Sequence, residues 1–133
     1  MKLGMRMSFR TNCMLCVIMF ACLSLGLLMS PALFSTIFRI DHSVAVEVME
    51  RRSAILMIGL GALIYSLRDL PDGKLRRHSA AAIVVLMIGM AILGLVELYE
   101  HRVGVGVGIW IAIVPEIVFA GLFLRHAVAS SNA

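Results

Sequence analysis

Charged residues are scarce in this sequence, and their scarcity excludes an ordinary soluble domain. Only 15% of the 133 residues are Asp, Glu, Lys or Arg, whereas 61% are hydrophobic. A soluble domain is roughly 45–50% apolar, and a chain of this length has too little interior to hide the excess. We therefore expect lipid to be the solvent, with residues 1–133 forming a single membrane domain.

Cysteine is also scarce, and the sequence lacks the side-chain groupings of a metal or catalytic site. There are three cysteines, an odd number that gives no disulfide framework. Cys13 and Cys16 have redox or metal spacing, but two thiols supply only half of a tetrahedral site. We expect them to be ordinary small apolar residues of a membrane helix. With no Ser-His-Asp or Cys-His arrangement, we predict no enzyme, no cofactor and no metal.

Long apolar runs, in contrast, occur four times. They predict helices over about residues 13–34, 47–67, 79–98 and 104–124, joined by short polar turns. The first run follows a basic start and ends near Ser30-Pro31-Ala32, so a cleaved signal peptide is the alternative. Its roughly 22 residues exceed the 7–15 of a signal's apolar region, which favours a retained helix. The second run is the shortest, because its strictly apolar part covers only about 15 residues, 53–67.

Lysine and arginine are distributed unevenly between the two ends of these helices. Eight lie at the N-terminus, in residues 68–78 and at Arg125, and four lie at Arg39, Arg51, Arg52 and Arg102. The positive-inside rule then places both termini in the cytoplasm. The expected fold is an all-α, antiparallel four-helix bundle. The net charge of +4 comes from these short clusters, so it does not indicate nucleic acid binding.

Small residues predict the helix faces that pack, because helices in lipid associate by close approach. The second helix has a stripe of Arg52, Gly59, Ala62 and Ser66; the third places Gly94 and Glu97 with Ile83 and Met90; and the fourth has a ridge of Gly108, Ala112, Glu116 and Ala120. Gly104 and Gly108 also form a Gly-xxx-Gly motif. That motif indicates either a dimer contact or tight packing inside the bundle.

The charged residues on these faces form the candidate site, a polar intramembrane cluster of Glu116, Glu97, Arg52 and Arg51. A charge facing lipid near a helix centre costs about 2.5–3.5 kcal/mol or more, so inward positions are expected. Glu97 and Arg52 are predicted at similar depth and could form an ion pair. Glu116 follows Pro115, which lacks an N–H and can kink the helix. For Glu116, proton or cation handling and an interhelical hydrogen bond both remain open.

Several short motifs carry a resemblance to a known group of proteins. They are Arg51-Arg52-Ser-Ala, Leu67-Arg68-Asp69 and Leu93-Gly94-Leu95-Val96-Glu97, together with the distal Glu116. The chain resembles small bacterial four-helix membrane proteins of unknown function, in the neighbourhood of DoxX-like membrane proteins. The resemblance covers residues 51 to about 124. It implies the fold and a multi-pass location in the bacterial cytoplasmic (inner) membrane, and it implies no catalytic residue.

Two classes of function agree with these features. The first is a non-enzymatic accessory, assembly or scaffold component that acts through lateral helix contacts with a membrane-protein partner or a second copy. The second is a transporter or sensor linked to a proton, a cation or a small ligand through the Glu/Arg cluster. A membrane enzyme acting on a lipid or quinone is the remaining alternative.

Overall fold

The protein is all-helical in the computed structural model, which describes residues 8–41, 43–100 and 106–128. Within these ranges there are five α-helices and no strand: α1 Phe9–Met29, α2 Pro31–Phe38, α3 Val44–Leu67, α4 Lys74–Tyr99 and α5 Val107–Val128. The predicted all-α class is therefore confirmed. Helices α1, α4 and α5 are long and apolar enough to cross a membrane, which indicates a multi-pass membrane protein.

The first predicted helix, 13–34, is divided in the structure. Helix α1 begins at Phe9, where the Ser8 side chain caps it by accepting a hydrogen bond from the Thr11 amide at 3.1 Å. It ends at Met29, and Pro31 opens α2. Proline has no N–H to continue the helix and its ring clashes with the preceding turn, whereas the first turn of a new helix tolerates it. Helix α2 ends at Phe38, and the C-cap residue Arg39 that follows has a left-handed φ of 55°.

Helix α3 has the length of a spanning helix but a polar first half. Its 24 residues correspond to about 36 Å at 1.5 Å per residue. The Ser43 side chain caps its start by accepting a hydrogen bond from the Val46 amide at 3.2 Å. Because Glu47, Glu50, Arg51 and Arg52 all lie in the first nine residues of α3, its apolar part is limited to the second half.

The helices pack mainly as two pairs, α1 with α3 and α4 with α5. The first pair is antiparallel: Arg10 lies 3.4 Å from Asp69 at one end, and Gly61 faces Phe20 further along. The pairs meet where the rings of Phe9 and Phe123 approach edge to face at 5.8 Å. Helix α2 contacts α1, α3 and α5, so it joins the two pairs toward the opposite end.

The main core joins both helix pairs. It consists of Phe9, Cys13, Cys16, Phe20, Ile64, Ala80, Ile83, Val84, Met87, Phe119, Ala120 and Phe123. Cys13 and Cys16 are wholly buried free thiols in this core, in agreement with an ordinary apolar role. In the part of the chain that the structure describes, no group of three or more His, Cys, Asp or Glu residues could hold a metal ion.

The face of α3 that packs is not the predicted one. The buried residues are Ala54, Gly61 and Ile64, and they face α1. The predicted stripe of Gly59, Ala62 and Ser66 is exposed instead. Because each residue turns a helix by about 100°, a stripe displaced by two positions lies about 200° away, on the opposite side.

Candidate functional site

A cleft between α4 and α5 contains two of the predicted acidic residues. Glu97 and Glu116 line it together with eight apolar or small residues: Phe38, Ile40, Met90, Leu93, Gly94, Ile109, Ala112 and Ile113. Its volume is about 140 Å³, which is room for a few water molecules at about 30 Å³ each. The cleft is therefore large enough for a small cation or a small polar molecule.

Close approach at Gly94 determines where the two carboxylates lie. A Cβ on Gly94 would be 3.1 Å from Cγ1 of Ile113, so the absence of a side chain lets α5 pack tightly there. Glu97 and Glu116 each follow this contact by three residues on antiparallel helices. They therefore lie on opposite sides of it, each displaced by about 4.5 Å along its helix axis.

The two carboxylates have no cation beside them among the described residues. Glu97 and Glu116 make no ion pair or hydrogen bond within this part of the chain, and one carboxylate oxygen of Glu116, Oε2, is buried without a partner. The cleft thus combines negative charge with largely apolar walls. Such a site attracts a proton or a small cation, because a carboxylate in apolar surroundings is costly when it stays unpaired.

The C-terminal end of α2 and the residues after it form one wall of the cleft, where Phe38 and Ile40 reach it. Gly108 allows α2 to approach, since a Cβ on that residue would lie 2.5 Å from the Ile37 carbonyl oxygen. Ser35 adds a second attachment by donating a hydrogen bond to Oε1 of Glu50 at 3.1 Å. The helix that closes the cleft is therefore held from both α3 and α5.

The contact at Gly108 also bears on the Gly-xxx-Gly motif. Gly108 is buried against α2 of the same chain, so at this residue the motif serves tight packing inside the bundle rather than a dimer contact. Gly104 lies outside the described residues. Along the same ridge, Ala112 and Pro115 are half-buried and Ala120 is buried. Pro115 lies inside α5, and the helix continues through it.

The two arginines do not join the two glutamates. Arg51 pairs with Glu47 at 2.6 Å on the surface of α3, and Arg52 is exposed beside it. The expected Glu97–Arg52 ion pair is not formed among the residues that the structure describes. The ion pair is absent from the described residues because the packed face of α3, which carries Ala54, meets α1 rather than α4. The predicted cluster therefore separates into an acidic cleft between α4 and α5 and two exposed arginines on α3.

Arg52, Gly59, Ala62 and Ser66, named here the open face of α3, are all exposed. A Cβ on Gly59 would meet nothing within 4 Å. Ser66 donates a hydrogen bond to the Ala62 carbonyl at 2.9 Å within its own helix, so its hydroxyl needs no water. Apart from Arg52 these residues are small and internally satisfied, as on helix-packing faces in membranes, and the exposed side chains of Ile55, Leu56 and Leu63 lie beside them.

Sequence reasoning missed a polar contact at the other end of the bundle. Asn12 is wholly buried on α1 and donates a hydrogen bond from Nδ2 to the Leu122 carbonyl at 3.2 Å. One turn further along α5, the His126 ring contacts Phe9 edge to face at 5.4 Å. The available signal was an amide directly before the first apolar run, 13–34, since polar side chains of helices in lipid usually bond across helices.

The arrangement consists of an acidic cleft between α4 and α5 and an exposed small-residue face on α3. Both features come from the same chain but lie on different helix surfaces, so they support different functions. Comparison with models of protein families, with curated proteins and with solved structures found no match to this chain, so the resemblance to DoxX-like membrane proteins rests on its quoted residues alone.

Proposed function

We propose that the chain is a multi-pass protein of the bacterial inner membrane with four crossing helices, α1, α3, α4 and α5. Helix α3 lies antiparallel to α1, with Arg10 near Asp69 and Phe20 beside Gly61. Because α1 is apolar enough to span the bilayer, a helix packed along it occupies the same depth. This packing supports an antiparallel four-helix bundle, and the uneven distribution of lysine and arginine favours both termini in the cytoplasm.

Within that membrane, the protein acts through lateral helix contacts as a non-enzymatic accessory, assembly or scaffold component. The observation that carries this function is the open face of α3. Glycine and alanine on a lipid-facing surface allow another helix to approach closely, and close packing is what holds helices together in lipid. Gly59 offers such an approach, because no atom of this chain fills the space beside it.

The test replaces Gly59 with leucine and compares the size of the purified assembly. Gly59→Leu adds bulk where the chain itself has room, so the fold is retained while a partner helix is pushed away. Gly121→Leu is the matched control, because Gly121 on α5 is equally exposed and also has nothing within 4 Å. After extraction in mild detergent, the native protein and Gly121→Leu should retain the partner or oligomer and Gly59→Leu should lose it. Repeated recovery of a lone native monomer would contradict the proposal.

The second candidate function is proton- or cation-linked transport or sensing at the cleft. It is favoured by the two carboxylates that share one small cavity without a cation among the described residues. A glutamine at position 116 keeps the shape of the side chain but can neither bind a proton reversibly nor carry charge. Proteoliposomes containing the native protein should therefore conduct protons under an applied potential, and Glu116→Gln should not.

Entrapped pH-sensitive dye measures that flux, and Glu100→Gln is the control because Glu100 does not line the cleft. Native protein that conducts no faster than empty liposomes would remove this candidate. Equal flux through the native protein, Glu116→Gln and Glu116→Leu would assign Glu116 to packing.

A further inference from the structure

We propose that Lys74, Arg77 and His78, on the first turn of α4, bind the headgroup of an anionic phospholipid. These three residues are named here the basic turn. Helix α4 begins at Lys74, and spacings of three and four residues place all three side chains on one face. The inference goes beyond the proposed lateral contacts and does not depend on them.

The basic turn differs from its neighbours in lacking internal acidic partners. Arg10 and Arg68 both lie beside Asp69, at 3.4 Å and 3.1 Å, and Arg76 pairs with Asp72. Lys74, Arg77 and His78 have no ion pair with any residue that the structure describes. The nearby acids are thus already engaged, and the positive charge of the basic turn is left for an external anion.

The start of α4 adds to this unbalanced charge. Its N-cap is Gly73, with no side-chain cap, and no acidic residue lies in the first turn. The exposed N–H groups of a helix start carry partial positive charge, so cations there are unfavourable unless an anion is nearby. A negatively charged ligand bound here would therefore offset the unfavourable placement of two cations and a histidine at the start of α4.

The position of the basic turn identifies the anion as a lipid headgroup. Helix α4 is apolar from Ala80 to Leu95 and is long enough to span the bilayer, so its first turn lies at the bilayer surface. Phospholipid phosphates lie at this depth. Each juxtamembrane Lys or Arg contributes about 1 kcal/mol to attraction by anionic lipid, which corresponds to about fivefold in affinity per cation.

The test is a titration of the full-length protein in neutral detergent micelles at physiological salt. Fluorescent phosphatidylglycerol is the probe, and phosphatidylcholine with the same label is the uncharged comparator. The native protein should prefer phosphatidylglycerol. The double variant Lys74→Gln/Arg77→Gln should lose about twenty-five-fold in affinity, from two cations at about fivefold each, and His78→Gln should lose less.

The matched control is Arg10→Gln/Arg68→Gln, which removes the same net charge beside Asp69. It should lose less affinity than the double variant of the basic turn. Equal losses in the two double variants would mean that net charge alone attracts the lipid, and would overturn the site. All of these side chains except Arg68 and Arg77 are exposed, and circular dichroism checks that each variant remains helical.

A second arm separates lipid from free phosphate. Inorganic phosphate in excess should leave phosphatidylglycerol binding unchanged, because it lacks the membrane anchorage that places a headgroup at this depth. Displacement of the lipid by millimolar phosphate would assign the basic turn to a soluble anion and overturn the proposal. No preference for phosphatidylglycerol over phosphatidylcholine would overturn it as well.

Discussion

Gly108 shows how a single residue holds the cleft together. The Ile37 carbonyl oxygen occupies the space where a side chain would begin, at 2.5 Å from an added Cβ. Because that atom is backbone, α2 must move to make room. We expect Gly108→Ala to lower the free energy of unfolding by about 1–3 kcal/mol, the usual cost of overpacking. Reversible denaturation in mixed micelles measures the loss.

Gly121, which also lies on α5, provides the control for the Gly108→Ala variant. Alanine there meets nothing within 4 Å and gains the better helix propensity, worth up to about 1 kcal/mol. Gly121→Ala should therefore be neutral or stabilising. Equal destabilisation by both variants would contradict a cost that is specific to the contact between Gly108 and α2.

Asn12 shows what a sequence reveals about single polar residues. It directly precedes the first predicted run, 13–34, so the sequence did not mark it as one of the groups for which lipid offers no hydrogen bond. Its partner, the Leu122 carbonyl on α5, lies 110 positions away and becomes visible only once α1 and α5 are packed. The same limit applied to Glu97 and Arg52, whose similar predicted depth said nothing about whether their helices are neighbours.

At the scale of elements, a buried hydrogen bond attaches α2 to α3. Ser35 is 2% exposed and donates a hydrogen bond to Glu50, whose other oxygen, Oε2, is buried without a partner. Removing the hydroxyl leaves a carboxylate less satisfied, at a cost of about 1–3 kcal/mol. Ser35→Ala should therefore loosen α2, and amide hydrogen exchange in residues 31–38 should accelerate by at least about fivefold.

Thr36 is the control for that experiment. Its hydroxyl is exposed and bonds to the Ala32 carbonyl within α2 at 2.8 Å, so it does not attach α2 to another helix. Thr36→Ala should leave exchange in α2 and in α3 nearly unchanged. Faster exchange across the whole chain in Ser35→Ala would indicate global destabilisation rather than release of α2.

The sequence predicted helices better than it predicted their faces. The lengths of the apolar runs and the turn-forming residues Pro71-Asp72-Gly73 were enough to place a break between α3 and α4. Pro31, in contrast, divides a run that is continuously apolar in the sequence. On α3 two small-residue stripes lie on opposite sides of the helix, one through Ala54 and Gly61 and the other through Gly59 and Ala62. In water the buried stripe would be the more apolar one, but in lipid both surroundings are apolar. Only the packing against α1 distinguishes them.

At the scale of the whole molecule, the decisive question is whether α3 crosses the bilayer. By composition α1, α4 and α5 qualify as spans and α3 does not, because its polar first half lowers its apolarity. The packing favours the proposed crossing, since α3 lies along α1, with Asp69 just after α3 beside Arg10 and Gly61 beside Phe20. A helix inside a bundle can tolerate charges near its end by extending them to the interface.

Reporter fusions test the crossing of α3 directly. If α3 crosses, the segment between α2 and α3 and the segment between α3 and α4 lie on opposite sides, and the positive-inside rule assigns the second to the cytoplasm. Alkaline phosphatase fused after Asp41 should therefore be active and fluorescent protein fused after Asp72 should fluoresce. A fusion after the last residue of α5, Val128, should again fluoresce. Reporters after Asp41 and Asp72 that indicate the same side would reduce the bundle to three crossings and place α3 on the membrane surface.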